Sequence, residues 1–268
     1  MQISIIKNQM LKIMITVLMV SSLASCVTSS ETTSERTKSK PNLREASKLN
    51  TQLAIGYIQE KQYKPAKEKL EKAIIQNDEN LKAYKTLAYL YALLGLNEEA
   101  EEKYAEAIDL KPGDPDLSNS YGAFLCSQSK FEEAQKNFNV AYSDPFYEGI
   151  YLAESNAGSC YIQEGKLKKA EALLRKSLRV HPTLPGSLIS MAEIGIKTER
   201  YLMARAYIQR YHAVRPASAE SLWFQIQAER ALGAKNHYMK YARQLISDFP
   251  DSDEAGWVEA QARNEKLR

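Results

Sequence analysis

An all-α fold, a right-handed superhelical solenoid of six helical hairpins with a C-terminal capping helix, is what this sequence predicts. Three observations predict it. Small, aromatic and proline residues superpose when the chain is aligned on itself at a spacing of about 34 residues. Within each unit the apolar residues recur at helical spacing, not with the alternation of a strand. Glycine falls in the middle of several units and proline at the end of most, where one helix must stop and the next begin.

The elements before the array are a leader and a tether. Lys7 and Lys12, the apolar run from Ile13 to Val20 and the small residues Ser21 and Ser22 follow the charged, apolar and small order of a secretory signal. The run is too short for the ~20 apolar residues of a spanning helix. Leu23-Ala24-Ser25-Cys26 resembles a bacterial lipobox. That resemblance implies a signal peptide over residues 1–25, a mature chain beginning at Cys26, and acyl chains on that cysteine, which anchor firmly once there are two or more. Val27 stands where Asp would mark inner-membrane retention, so the implied address is the periplasmic face of the outer membrane. Residues 26–42 carry scattered charge, abundant Ser and Thr and no apolar period. They cannot bury a core and read as a flexible tether with a reach of roughly 20–25 Å.

The array occupies residues 43–268, with repeats near 47–80, 81–114, 115–148, 151–184, 185–218 and 219–252. The second is the cleanest. Leu87-Ala88, Tyr91, Gly95, Ala100, Tyr104, Ala107 and Pro112 fall at positions seven, eight, eleven, fifteen, twenty, twenty-four, twenty-seven and thirty-two, the signature of the tetratricopeptide repeat. The first shows Leu53-Ala54, Tyr57, Ala66, Leu70 and Ala73; the third Tyr121-Gly122, Leu125, Phe131, Ala134, Phe138 and Ala141. A two-residue insertion near Glu148-Gly149 precedes the fourth, with Ala157-Gly158, Tyr161, Gly165, Ala170, Leu174 and Pro182. The fifth carries Met191-Ala192, Ala204, Ile208 and Pro216; the sixth is degraded but keeps Gly233, Ala242, Leu245 and Pro250. Small residues at positions eight and twenty let the two helices of a hairpin approach, and large residues at eleven and twenty-four fill the adjoining grooves. No unit buries its own apolar face, so units stack into a solenoid with a concave and a convex surface. Residues 253–268 continue as the capping helix.

Function is expected on the concave surface, lined by the first helix of each hairpin at positions two, five, nine and twelve. These are Lys48, Thr51, Ile55 and Ile58, then Lys82, Lys85, Tyr89 and Ala92, then Asp116, Asn119 and Ala123. Tyr89 beside Asn119, with Ile55 and Ile58 open, reads as a peptide-binding groove, since an extended chain needs amide partners and apolar pockets. The Lys and Asn pattern of a chaperone-type carboxylate clamp is not matched in full. A net charge of +3 gives no reason to expect nucleic acid. No HExxH, GxSxG, Walker loop or Cys-x-x-Cys is present, so the sequence points to no enzyme, metal, cofactor or small-molecule substrate. His181, His212 and His237 have no ligand partners in repeat register.

Cys126 and Cys160 are the thiols that remain beside Cys26. In an oxidising compartment an even pair favours a disulfide. They occupy position twelve of one first helix and position ten of the next, a difference in height of roughly 3 Å. The bond would staple the third repeat to the fourth.

Ser118-Asn119-Ser120-Tyr121-Gly122-Ala123-Phe124-Leu125-Cys126, followed by Phe131-Glu132-Glu133-Ala134, resembles the N-x-Y-G-x-F-L-C segment of the PilF/PilW family of type IV pilus biogenesis lipoproteins. The lipobox, the tether, six repeats and Ala157-Gly158-Ser159-Cys160 agree with that family over essentially the whole chain. The resemblance implies a pilotin, which binds the pilus secretin subunit and promotes its outer-membrane placement and multimer assembly. Two alternatives stay open: a periplasmic scaffold for cell-wall or outer-membrane-protein assembly, and an activator of a wall-synthesis enzyme.

Overall fold

The structure, a computed structural model, describes residues 42–266. The expected signal peptide, Cys26 and nearly all of the expected tether lie outside the described residues. Among the described residues there are thirteen α-helices and no strand. They are α1 (Leu43–Gln59), α2 (Tyr63–Gln76), α3 (Leu81–Leu93), α4 (Asn97–Leu110), α5 (Pro115–Ser127), α6 (Phe131–Ser143) and α7 (Ile150–Gln163). Then follow α8 (Leu167–Val180), α9 (Pro185–Lys197), α10 (Tyr201–His212), α11 (Ala219–Ala231), α12 (Lys235–Asp248) and α13 (Asp253–Lys266).

Local chemistry sets the helix ends. Asn80, Asp114 and Ser218 precede α3, α5 and α11, and their side-chain oxygens accept the backbone N–H of Ala83, Leu117 and Ser221. Pro115 and Pro185 open α5 and α9, where a missing N–H leaves no bond unmade. Position fifteen, between the helices of a hairpin, has positive φ in all six repeats: Lys61, Gly95, Ser129, Gly165, Glu199 and Gly233. Glycine enters this left-handed region freely, while a side chain there costs about 1 kcal/mol, so three repeats hold mild strain at the same turn.

Each odd-numbered helix from α1 to α11 packs on the even-numbered helix after it. Odd helices also touch the next odd helix, whereas successive even helices do not touch. The odd helices therefore form the tighter, concave layer and the even helices the splayed, convex one.

The hairpin contact works as the size pattern predicts. Ala66, Ala100, Ala134, Ala170 and Ala204, all at position twenty, are fully buried. A Cβ added to Gly122 would lie 2.8 Å from the Phe138 ring, and one added to Gly158 would lie 2.7 Å from Leu174. Position eight thus sits directly against position twenty-four. Each large side chain buried there contributes roughly 1.5–3 kcal/mol. The sixth hairpin departs from this rule. Ile226 and Tyr238 stand at the small positions and Ala242 at the large one, so Ala242 is not a retained signature residue but an inverted one.

Candidate peptide-binding groove

Side chains from α1, α2 and α3 enclose an apolar depression of about 470 Å3 on the first two hairpins. Ile55 and Ile58 come from α1, Tyr63 from the start of α2, and Tyr89 and Leu93 from α3. Tyr89 and Leu93 are 52% and 46% exposed, so apolar surface faces solvent beside the half-buried isoleucines. Lys85 and Lys61 supply amines at the rim. The site suits an apolar side chain of an extended segment, with polar groups at its edge.

Of the residues chosen from sequence, Ile55, Ile58, Lys85 and Tyr89 meet in this depression. Lys82 and Ala123 are exposed but do not line it. Lys48 is exposed and lies 3.6 Å from Glu45. Ala92 is half-buried against the apolar core.

Two polar expectations need correction. Thr51 is buried, donating to the Ser47 carbonyl at 2.9 Å and accepting from Asn80 at 3.0 Å. Asn119 is no open amide of the floor. It is 7% exposed, and its Oδ1 accepts from Asn156 Nδ2 at 3.0 Å. Position five faces the neighbouring odd helix, where the concave layer is tightest, so a short side chain there is covered by the next repeat.

Asn119 belongs instead to a polar strip running along the concave layer. Lys85 pairs with Asp116, and the Tyr147 hydroxyl lies 3.4 Å from Asp116 Oδ1. Burial, reinforced by the Asp116 carboxylate, pushes the Tyr147 hydroxyl up to about 12. Tyr147 sits at the end of the third repeat, just before the two-residue insertion, and the repeat signature predicted no role for it. Leu93 was legible in principle, being one helical turn from Tyr89. Tyr63 occupies the same repeat position as Phe131, and only the folded arrangement turns it toward the depression.

Cys126 and Cys160 are joined in the structure, with Cα atoms 5.8 Å apart, inside the range of about 4.4–6.8 Å that a disulfide needs. Both are buried. His212 bonds Ser221 at 3.0 Å, and burial lowers its pKa. His237 lies 3.6 Å from Glu229, and the His181 ring lies against Tyr151. Among the described residues, no group of three or more His, Cys, Asp or Glu is placed to hold a metal ion. No described helix is long and apolar enough to cross a membrane.

A tetratricopeptide-repeat family model matches residues 81–114 and 155–183, the second hairpin and most of the fourth. The chain is 27% identical over 208 residues to the type IV pilus assembly protein PilF of Pseudomonas aeruginosa, covering 78% of this chain and 82% of that protein. The crystal structure of PilW, a widely conserved type IV pilus biogenesis factor, superposes with a TM-score of 0.72 at 30% identity, covering 79% of this chain and 97% of PilW. The solved PilF structure gives a TM-score of 0.70 at 27% identity, with 82% and 99% covered.

Proposed function

Because the chain belongs to the PilF/PilW family of tetratricopeptide-repeat proteins of type IV pilus biogenesis, we propose that it is the pilotin of its system. In this reading it is an outer-membrane lipoprotein, anchored through Cys26, that binds the pilus secretin subunit and promotes its localisation and multimer assembly. The observation that carries the reading is the open apolar depression of Ile55, Ile58, Tyr63, Tyr89 and Leu93. Such surface on a repeat protein of a pilus-assembly family supports capture of a protein segment. Anchor and groove would act together. Confining the solenoid and a secretin monomer to one membrane surface raises their effective concentration without tight intrinsic affinity.

The disulfide between Cys126 and Cys160 belongs to the same reading, since it needs an oxidising compartment. The lipobox supports that address.

Deletion of the chain is expected to reduce heat-resistant secretin multimers and surface pili while pilin synthesis continues. Tyr89→Ala with Leu93→Ala, in a protein of unchanged helicity, should weaken secretin capture by about tenfold, as the loss of two exposed anchors implies. Cys26→Ser should remove acyl label and outer-membrane fractionation. Normal multimers in the deletion strain would overturn the assignment.

A further inference from the structure

A cavity lies between the sixth hairpin and the capping helix α13. Position twenty-four is Leu70, Tyr104, Phe138, Leu174 and Ile208 in the first five hairpins, each at most 2% exposed. There the side chain fills the space beneath position eight of its partner helix. In the sixth hairpin the residue is Ala242, and the bulk has moved to Ile226 and Tyr238. Beside Ala242, between this hairpin and α13, lies a cavity of about 160 Å3 with an apolar wall of Ile226, Tyr238, Met239, Ala242, Ile246 and Val258. Arg230, which bonds Gln261, and Arg243 also line it.

Two properties define what fits. Apolar cavities of about 150 Å3 accept a benzene-sized group and hold no water, so the apolar part of an occupant is of phenyl or isobutyl size. Arg243 is exposed and has no carboxylate partner among the described residues. A guanidinium there matches a carboxylate through two parallel hydrogen bonds. In a polypeptide, a large apolar side chain and a carboxylate share one carbon only at the C-terminal residue.

We propose that this cavity, with Arg243, is a second binding site, for the C-terminal Phe or Leu of a partner polypeptide. The apolar side chain enters between α11, α12 and α13, and Arg243 holds the terminal carboxylate. The site lies in the sixth hairpin, away from the first two hairpins, and does not depend on the secretin reading.

The test is calorimetric titration of the full chain in lipid nanodiscs with octapeptides ending in Phe, as free acid and as amide, and with 3-phenylpropionate. The free acid should bind, and the amide at least about tenfold more weakly, the usual strength of one charge-assisted pair. Arg243→Gln should bring the acid down to the level of the amide and leave amide binding unchanged. Ala242→Leu restores the size found in the other hairpins. It should abolish binding with helicity and cooperative unfolding retained, which separates a filled cavity from a misfolded chain. Equal binding of acid and amide, undiminished binding by Ala242→Leu, or no binding of the acid at millimolar peptide overturns the proposal. Binding of 3-phenylpropionate as tight as the peptide's would also overturn it, because the site would then serve a free acid.

Discussion

The junction of the third and fourth hairpins and the sixth hairpin both depart from the repeat, and they are repaired in opposite ways. At the junction the chain gains two residues, and the packing pattern on either side stays intact: Gly122 against Phe138, Gly158 against Leu174. The break is spanned by specific bonds, namely Cys126 to Cys160 and Asn119 to Asn156. In the sixth hairpin the spacing is intact and the packing is not. Glu229 replaces the large apolar residue of position eleven, is 2% exposed, and is held by Arg205 at 2.9 Å and by Gln225. An error of spacing can be bridged by specific bonds that leave the packing on either side unchanged. An error of size leaves either a void or a buried charge, and the sixth hairpin has one of each.

The largest expected effect sharpens the first half of that contrast. Replacing Cys126 and Cys160 by Ser opens a loop closed over a separation of 34 residues, worth about 3–4 kcal/mol in the chain-entropy model. Urea unfolding of both forms measures it, and a loss below about 1 kcal/mol would mean that the hydrogen bonds alone hold the junction.

The second half is broken by Arg205→Ala, which leaves Glu229 buried without its main partner. The expected loss is about 3 kcal/mol, at the low end for a buried pair because Arg205 is partly exposed. Arg205→Met with Glu229→Leu should restore most of it. If the double variant is as unstable as the single, the pair is part of the fold and not a substitute for packing.

A smaller gain is expected from Glu199→Gly, at a hairpin turn of positive φ (56°). It should stabilise by about 0.5–1 kcal/mol in thermal unfolding. The same change at Gly165, to Ala, should cost a similar amount.

The smallest effect is in pH, and its sign differs between the two regions. Bonds from Arg200 and Arg175 outweigh burial and lower the pKa of Glu171, in the fourth hairpin. Burial raises Glu193, in the fifth hairpin, and Glu220, at the start of the sixth, with Lys197 opposing it at Glu193, and Glu193 and Glu254 adding to it at Glu220. A lowered carboxyl contributes stability above the unfolded value of about 4.3 and loses it as pH falls through its folded value. A raised one contributes below that value and loses it as pH rises through its folded value. Glu193→Gln with Glu220→Gln should therefore be more stable than the parent at pH 7, with the gap closing as pH falls toward the unfolded value of about 4.3. Glu171→Gln should be less stable at pH 7, with the gap closing below about pH 4.

The fold was legible because the tetratricopeptide unit is specified by residue size at a few positions, and size is visible in a sequence. Ala100, Tyr104 and Gly95 announce a hairpin without reference to any other unit. The groove was legible only where exposure follows from helical phase: Ile55, Ile58 and Tyr89 lie on the concave face and remain open. Asn119 lies on the same face, but it is covered by the next repeat, where Asn156 bonds it across an insertion that the period cannot align. Ala242 was misread for a related reason. A small residue looked like a conserved signature until its position against Ile226 and Tyr238 showed that the sizes had been exchanged.

A stacked solenoid is also a spring. Pulled from its ends, such an array comes apart unit by unit, since each hairpin holds only its neighbours. The covalent link from α5 to α7 divides that spring near its middle, and the segment between the cysteines cannot pay out under load. At about 3.4 Å for each extended residue, the 34-residue separation withholds a little over 110 Å of contour length. Tension applied across the two ends of the array would unravel the flanks and stop at the staple.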